Sequence, residues 1–416
     1  MIMAKKRVVI TGIGAINALA KNVPDTWQKL IKGENGIGLI TKLDTTDLSS
    51  KIAAQIKDYD PLNHFEPKII KKLDLYTQYA LIAGKEAMED SGILGSQYDS
   101  NRFGVILGAG IGGILTFEEE ANKMFTAGPR RISPFFIPKM ISNIAAAQLS
   151  IDYGLKGVNY TCVSACASAN HAMGAAFRAI QYGDADLIVT GGSEAAVTPL
   201  AIGGFCAMKA LSTRNDEPHR ACRPFDKERD GFIMGEGAAL LIMEELEHAL
   251  RRNAQIYGEV IGFGASSDAY HITAPEENGA GTILAINNAL RDAGVKPEEV
   301  DFISAHGTST PLNDKTESKA IKSVFGDHAY KLKINSTKSM LGHTLGAAAG
   351  IEAISCLMSI NTGIIHPTIN YENPDPDCDL DYVPNKAINH QVRIAISNSL
   401  GFGGHNSVLA LRKYQN

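Results

Sequence analysis

The sequence predicts an α/β fold built from two copies of one unit, and three observations lead there. Short β-branched runs alternate with stretches of helical apolar spacing, the pattern of strands and helices laid down in separate layers. The second half of the chain then repeats the element order of the first. At 416 residues the chain also exceeds what one hydrophobic core usually supports.

Taken in order, RVVITGIG (7–14) is a first strand stopped by glycines, and LYTQYALIAGKEAMEDSG (75–92) is a helix ending on Gly92. RFGVILGAGIGG (102–113) reads as a buried strand opening into a glycine-rich loop, and DLIVTGG (186–192) as a further strand. The same succession then returns. YGEVIGFGAS (257–266) echoes the first strand, and TILAINNALRDAGV (282–295) ends Asp-Ala-Gly where the earlier helix ends Asp-Ser-Gly. VDFISAHGTST (300–310) gives a strand and a polar loop. INSTKSMLGHTLGAAAGIEAI (334–354) parallels VNYTCVSACASANHAMGAAFRAI (158–180), and VRIAISNSLGFGG (392–404) stands where ADLIVTGGSEA stood. Five elements in matching order predict a tandem duplication: an N-terminal half over 4–251 and a C-terminal half over 258–414, with no flexible linker between them.

Composition narrows the function classes. A hydrophobic share of 44% with 20% charged residues describes a globular protein, and a net charge of −5 gives no global case for nucleic acid or an anionic membrane. The opening MIMAKKRVVITGIGA has no apolar leader core, and no run approaches the roughly 18 uninterrupted apolar residues of a span. No membrane insertion is expected. Six irregularly spaced cysteines do not make a disulfide framework, so a reducing, cytoplasmic setting is expected.

The chemistry concentrates in YTCVSACASANHAMGAAF (160–177), where two thiols sit among the smallest side chains. A helix starting near Cys166 and built of Ala and Gly can lie close to neighbouring backbones on all sides. A cysteine at its amino end meets unpaired N–H groups and the positive end of the macrodipole, which are expected to lower its pKa. On these residues alone Cys166 is equally open to being a packed thiol, the reading kept for Cys206, Cys222, Cys356 and Cys378. A metal set of Cys162, Cys166 and His171 matches no common zinc spacing, and His171 by itself reads as a packed helix residue. The second half adds His306 in SAHGTST and His343 in STKSMLGHTLGAAAG, with Lys338 just before and a glycine loop around Phe402. Strand ends and helix starts on one side of an α/β layer converge, so Cys166, His306 and His343 are expected to meet between the halves.

SACAS around Cys166, AHGTSTPLNDKTE from Ala305, STKSMLGHTLGAAAG from Ser336 and NSLGFGGHN from Asn398 together resemble the β-ketoacyl-acyl-carrier-protein synthases, decarboxylating condensing enzymes of the thiolase superfamily. The likeness is greatest to the type II elongation members, and supporting stretches run nearly end to end. The resemblance implies a thiolase-like fold of five layers, α-β-α-β-α, in a homodimer. It implies that Cys166 takes an acyl group from acyl-acyl-carrier-protein with its oxyanion on the N–H groups of Cys166 and Phe402. Malonyl-acyl-carrier-protein then loses carbon dioxide, with neutral His306 and His343 stabilising the enolate. Lys338 would orient the histidines, with Glu352 as its partner, and no metal or redox cofactor is implied.

Thr308 and Thr310 match contacts to the pantetheine arm. Ile111, Phe205 and Phe402 match the acyl tunnel and its gate, and Phe135 and Phe136 match substrate-side positions near the dimer seam. Lys68, Lys71, Lys72, Arg130, Arg131 and Lys209 match regions that dock the acidic carrier protein. The sequence departs from the family at Cys162, Leu400 and His405. A biosynthetic thiolase, a polyketide-type ketosynthase and a non-catalytic chain-length partner are the rival readings; a thiolase would need a second cysteine in the C-terminal glycine loop, and GFGGHN has none.

Overall fold

The structure is a computed structural model that describes residues 5–415. Residue 4, the expected start of the N-terminal half, lies outside the described residues. Five strands of the first half, β1 (Val8–Asn17), β2 (Phe103–Gly108), β3 (Asn159–Cys162), β4 (Leu187–Ala195) and β5 (Met234–Glu245), line up in the order 1-5-4-2-3. Five of the second, β6 (Gly258–Ser267), β7 (Phe302–Ser304), β8 (Lys333–Asn335), β9 (Ile394–Gly401) and β10 (His405–Arg412), line up as 6-10-9-7-8. The two orders are the same, and so are the strand senses. In each half the pairs around the second strand are parallel and the rest antiparallel. The sheets touch edge to edge where Val8–Ile10 of β1 pairs with Gly258–Val260 of β6.

Helices complete the layers. α1 (Leu75–Asp90) covers the outer face of the first sheet, α2 (Ser168–Gln181) and α5 (Ala348–Thr362) lie between the sheets, and α3 (Ala280–Ala293) with α4 (Pro311–Phe325) covers the second. The glycines explain why the outer helices sit so close. A Cβ on Gly12 or Gly14 of β1 would fall 2.3 or 2.1 Å from carbonyl oxygens of α1, and one on Gly264 of β6 would fall 2.1 Å from the Ala285 carbonyl of α3. Each half therefore lays a helix directly on a glycine-bearing first strand. Between the sheets, Met173 and Phe177 of α2, Ile351 and Leu357 of α5, Leu241 of β5 and Leu409 of β10 share one apolar cluster. The halves thus share one core, as the missing linker predicts.

Two consequences follow for the site. Among the described residues, the one helical stretch long and apolar enough to cross a membrane, Leu345–Thr362, is the largely buried central helix and the turn before it. The two central helices also begin alike, after one-turn 3-10 segments at Ala165–Ala167 and Leu345–Ala347. Both segments open on a non-glycine residue in the left-handed region, Ala165 at φ 51° and Leu345 at φ 45°, a conformation that costs energy and clusters at functional sites.

Candidate active site

Cys166 rides on the first of these strained turns and is 8% exposed. It lines a cavity of about 490 Å³ together with His306 and His343. Its backbone N–H and that of Phe402 lie on the side of the sulfur and favour the thiolate. Phe402 gets there because Gly401 has no side chain: a Cβ on Gly401 would stand 2.8 Å from the Ser164 carbonyl oxygen and 3.3 Å from the Cys166 nitrogen. The expected low thiol pKa is not met. Burial pushes the Cys166 thiol up to about 12, outweighing the nearby Lys338 charge and the two N–H groups that pull it down. With burial dominant, the group at rest is a thiol. Alkylation of Cys166 by iodoacetamide should therefore rise about tenfold per pH unit from neutrality to pH 10. A plateau below pH 9 would show a resting thiolate instead.

The donor atoms of Cys166, His306 and His343 lie within 4.8 Å of one another. The imidazole rings stand edge to face with centroids 5.3 Å apart. Burial, then the Lys338 charge, holds both histidines well below their usual pKa, so both are neutral. Lys338 Nζ is 3.5 Å from His306 Nδ1 and forms an ion pair with Glu352, in which both side chains are buried. An ammonium against Nδ1 leaves the ring proton on Nε2, where it can be donated. Neither ring nitrogen of His343 has a hydrogen-bond partner among the described residues.

Two carboxylates hold the loops around this trio. Glu317 of α4 accepts the His306 and Gly307 N–H groups at 2.9 Å each, and the Asn398 amide at 3.2 Å. Glu194 of β4 accepts N–H groups from Gly110 at 2.7 Å, Ile111 and Gly112 at 3.1 Å, and Gly346 at 3.1 Å. Gly346 is the second-half position equivalent to Cys166, so Glu194 fastens one half to the other. Burial raises both carboxyls to about 7 against these donors. Glu194→Ala would orphan four N–H groups, those of Gly112 and Gly346 buried, and should cost about 2 kcal/mol or more, measurable by urea unfolding.

The other expected residues divide. Ile111, Phe205, Thr308, Thr310 and Phe402 line the cavity. The Phe205 and Phe402 rings stand 6.4 Å apart, and the two threonine hydroxyls 2.9 Å. Phe135 and Phe136 do not line it; they belong to an outer segment, Phe135 exposed beneath the Lys72 ammonium. Lys68, Lys71, Lys72, Arg130, Arg131 and Lys209 are all exposed, Lys68 pairing with Glu66 and Lys209 lining the cavity. The metal set of Cys162, Cys166 and His171 is not assembled. Among the described residues the one trio of metal-type donors is Cys166, His306 and His343, and His171 Nδ1 is bonded to Ser164 Oγ at 2.7 Å.

Comparison with known proteins settles the family. The description "Beta-ketoacyl synthase, N-terminal domain" fits residues 5–249, and "Beta-ketoacyl synthase, C-terminal domain" fits residues 257–372. The chain belongs to the β-ketoacyl synthase family. It is 50% identical over 411 residues to the 3-oxoacyl-[acyl-carrier-protein] synthase 2 of Coxiella burnetii, covering 99% of each chain. The protein of the same name from Synechocystis sp. is 49% identical over 413 residues, again covering 99% of each. Among solved structures, the ketosynthase of a type II PKS, bound to the hexaketide and in complex with its acyl-carrier protein, superposes with a TM-score of 0.91. It is 36% identical, over 99% of this chain and 100% of that one.

In this β-ketoacyl synthase, sequence reading passed over Glu194 and Glu317. Both lie in stretches that caught attention, GGSEA and DKTE, but nothing local marks a carboxylate whose partners are backbone groups as much as 152 residues away. The trio also sets a limit on metal binding. A thiolate with two imidazoles is a zinc-type donor set in kind, yet here burial favours the protonated thiol and the Lys338 ammonium stands against His306, both of which oppose a dication.

Proposed function

We propose that the chain is a decarboxylating condensing enzyme that extends a Cys166-bound long acyl group by two carbons from malonyl-acyl-carrier-protein. The observation that carries this reading is the Cys166–His306–His343 trio, its donor atoms within 4.8 Å at the wall of a cavity of about 490 Å³. In the first stage the Cys166 thiol yields its proton to a neutral imidazole and attacks the thioester carbonyl. The oxyanion sits on the N–H groups of Cys166 and Phe402, and the carrier thiol leaves with the proton. In the second stage the malonyl group loses carbon dioxide. The enolate oxygen forms against His306 Nε2–H and the unpartnered His343, and the carbon attacks the Cys166 thioester to release a 3-oxoacyl product. Lys338 and Glu352 keep the first imidazole oriented. Departing carbon dioxide drives the reaction, so no cofactor enters it.

Nucleophile and amide donor come from different halves, which supports the division at 4–251 and 258–414. Identities near 50% to proteins named 3-oxoacyl-[acyl-carrier-protein] synthase 2, against 36% to the polyketide ketosynthase, favour fatty-acid elongation. Cys166 as the one cysteine lining the cavity disfavours a thiolase. Tyr160 on the outer edge strand β3 and Val163 just after it are 42% and 61% exposed. This apolar edge supports a homodimer, and six free cysteines support a cytoplasmic place of action.

The test is a ladder of acyl-carrier-protein thioesters incubated with the purified protein. An acyl mass shift mapped to Cys166, and 3-oxoacyl product only when malonyl carrier is added, is the expected result. Acylation elsewhere would defeat it. Docking through the six exposed cations predicts that carrier affinity falls as salt rises while the maximal rate holds; isothermal titration over a salt series measures this.

A further inference from the structure

The two strained turns of the duplicated fold are an internal control for one another. Ala165 and Leu345 correspond, both left-handed, so Ser168 corresponds to Ala348 and His171 to Ile351. The second turn therefore reaches the same backbone shape with an alanine and an isoleucine where the first has two polar groups. Those polar groups are engaged. Ser168 Oγ accepts the Ser164 N–H at 2.9 Å and donates to the Ala165 carbonyl at 2.6 Å. Ser164 Oγ and His171 Nδ1 are bonded at 2.7 Å. Folding such a turn does not require them, yet the copy that bears the cysteine has them.

The His171 ring has a second set of neighbours. It stands edge-on to Phe263 of β6 with centroids 6.0 Å apart, and edge-on to His405 at 6.3 Å. His405 opens β10 and pairs with Gly401 across the hairpin that carries Phe402. Gly401 in turn lies against the Ser164 carbonyl. Ser164 is thus gripped from both sides: by His171 through its hydroxyl and by the Phe402 hairpin through its backbone.

We propose that His171 is a positioning residue that acts through Ser164, setting the aim of the Cys166 N–H and tying the nucleophile turn to the hairpin whose Phe402 N–H completes the oxyanion site. The proposal rests on the reading of Cys166 as the acylated nucleophile. A donor displaced by a fraction of an ångström weakens a transition state far more than it weakens binding. The effect should therefore fall on the rate of acyl transfer and not on the affinity for the acyl donor.

The experiment is single-turnover acylation from a dodecanoyl thioester of acyl carrier protein, followed by intact mass. His171→Phe keeps the ring packing and loses the bond to Ser164; Ser164→Ala loses the same bond from the other end. Each should lower the maximal acylation rate about tenfold with an unchanged half-saturating concentration, and the double variant should be no slower than either. His171→Asn, which can still bond Ser164, should come within about twofold of the parent. Single effects that multiply, a change in half-saturation with the maximal rate intact, an Asn variant as slow as the Phe variant, or parental rates throughout would each overturn the proposal. Should His171→Phe fail to fold, Ser164→Ala alone and with His171→Asn still decides between these outcomes. If the parent acquires acyl at Cys166 and the variants match it, only this inference falls. If the parent acquires none there, the functional reading falls and this inference with it.

Discussion

Cys166→Ser is expected to abolish acyl transfer, with a loss of about 10³-fold or more in the rate of thioester formation. The resting sulfur is a thiol held up to about 12 by burial, and a serine hydroxyl in the same buried turn is harder still to ionise. The neighbouring imidazoles, which burial and Lys338 hold well below their usual pKa, are bases strong enough to take a proton from a thiol as it attacks but too weak to take one from a hydroxyl. A cysteine survives this because its thiolate is intrinsically more nucleophilic. Intact mass after incubation with acyl carrier should show the unmodified chain, with thermal unfolding close to the parent. An acyl adduct on the variant, at Cys162 or elsewhere, would remove Cys166 from its role.

The second large effect belongs to Lys338→Met. Glu352 is wholly buried, and its Oε2 has no partner among the described residues, so deleting Lys338 strands a carboxylate in the core at about 3–5 kcal/mol. Adding Glu352→Leu should return most of that stability, because the buried charge is then gone as well. Activity should stay about 10²-fold down in both variants, since His306 Nδ1 loses the ammonium that fixes its tautomer. The sign of the pH effect is set by the same charge. Lys338 lowers the pKa of both histidines, so its removal raises them, and the acid limb of the rate profile moves to higher pH. Recovery of activity with recovery of stability in the double variant would reduce the pair to a structural part.

Much of this was legible because the chain states its plan twice. Repeated strand, glycine loop and small-residue helix gave the duplication, and the small residues of α2 and α5 told of a helix enclosed by sheets. The convergence of Cys166, His306 and His343 followed from their places at strand ends and helix starts. What the sequence hid was of two kinds. The thiol pKa is a competition between a helix terminus and desolvation, and desolvation depends on how fully the pocket closes. Residue order does not reveal that. The turns at Ala165 and Leu345 place non-glycine residues where local preference argues against them, and Glu194 and Glu317 find partners only after distant segments meet.

Opposite Cys166, the repeat leaves no room. A Cβ on Gly346 would stand 2.2 Å from the Gly110 nitrogen and 2.7 Å from Glu194 Oε2, so this position of the second turn admits no side chain. The repeat cannot be made symmetrical in function by any single substitution there. Each polypeptide carries one reaction centre, and its twin position has become the keystone that shuts the other's back wall.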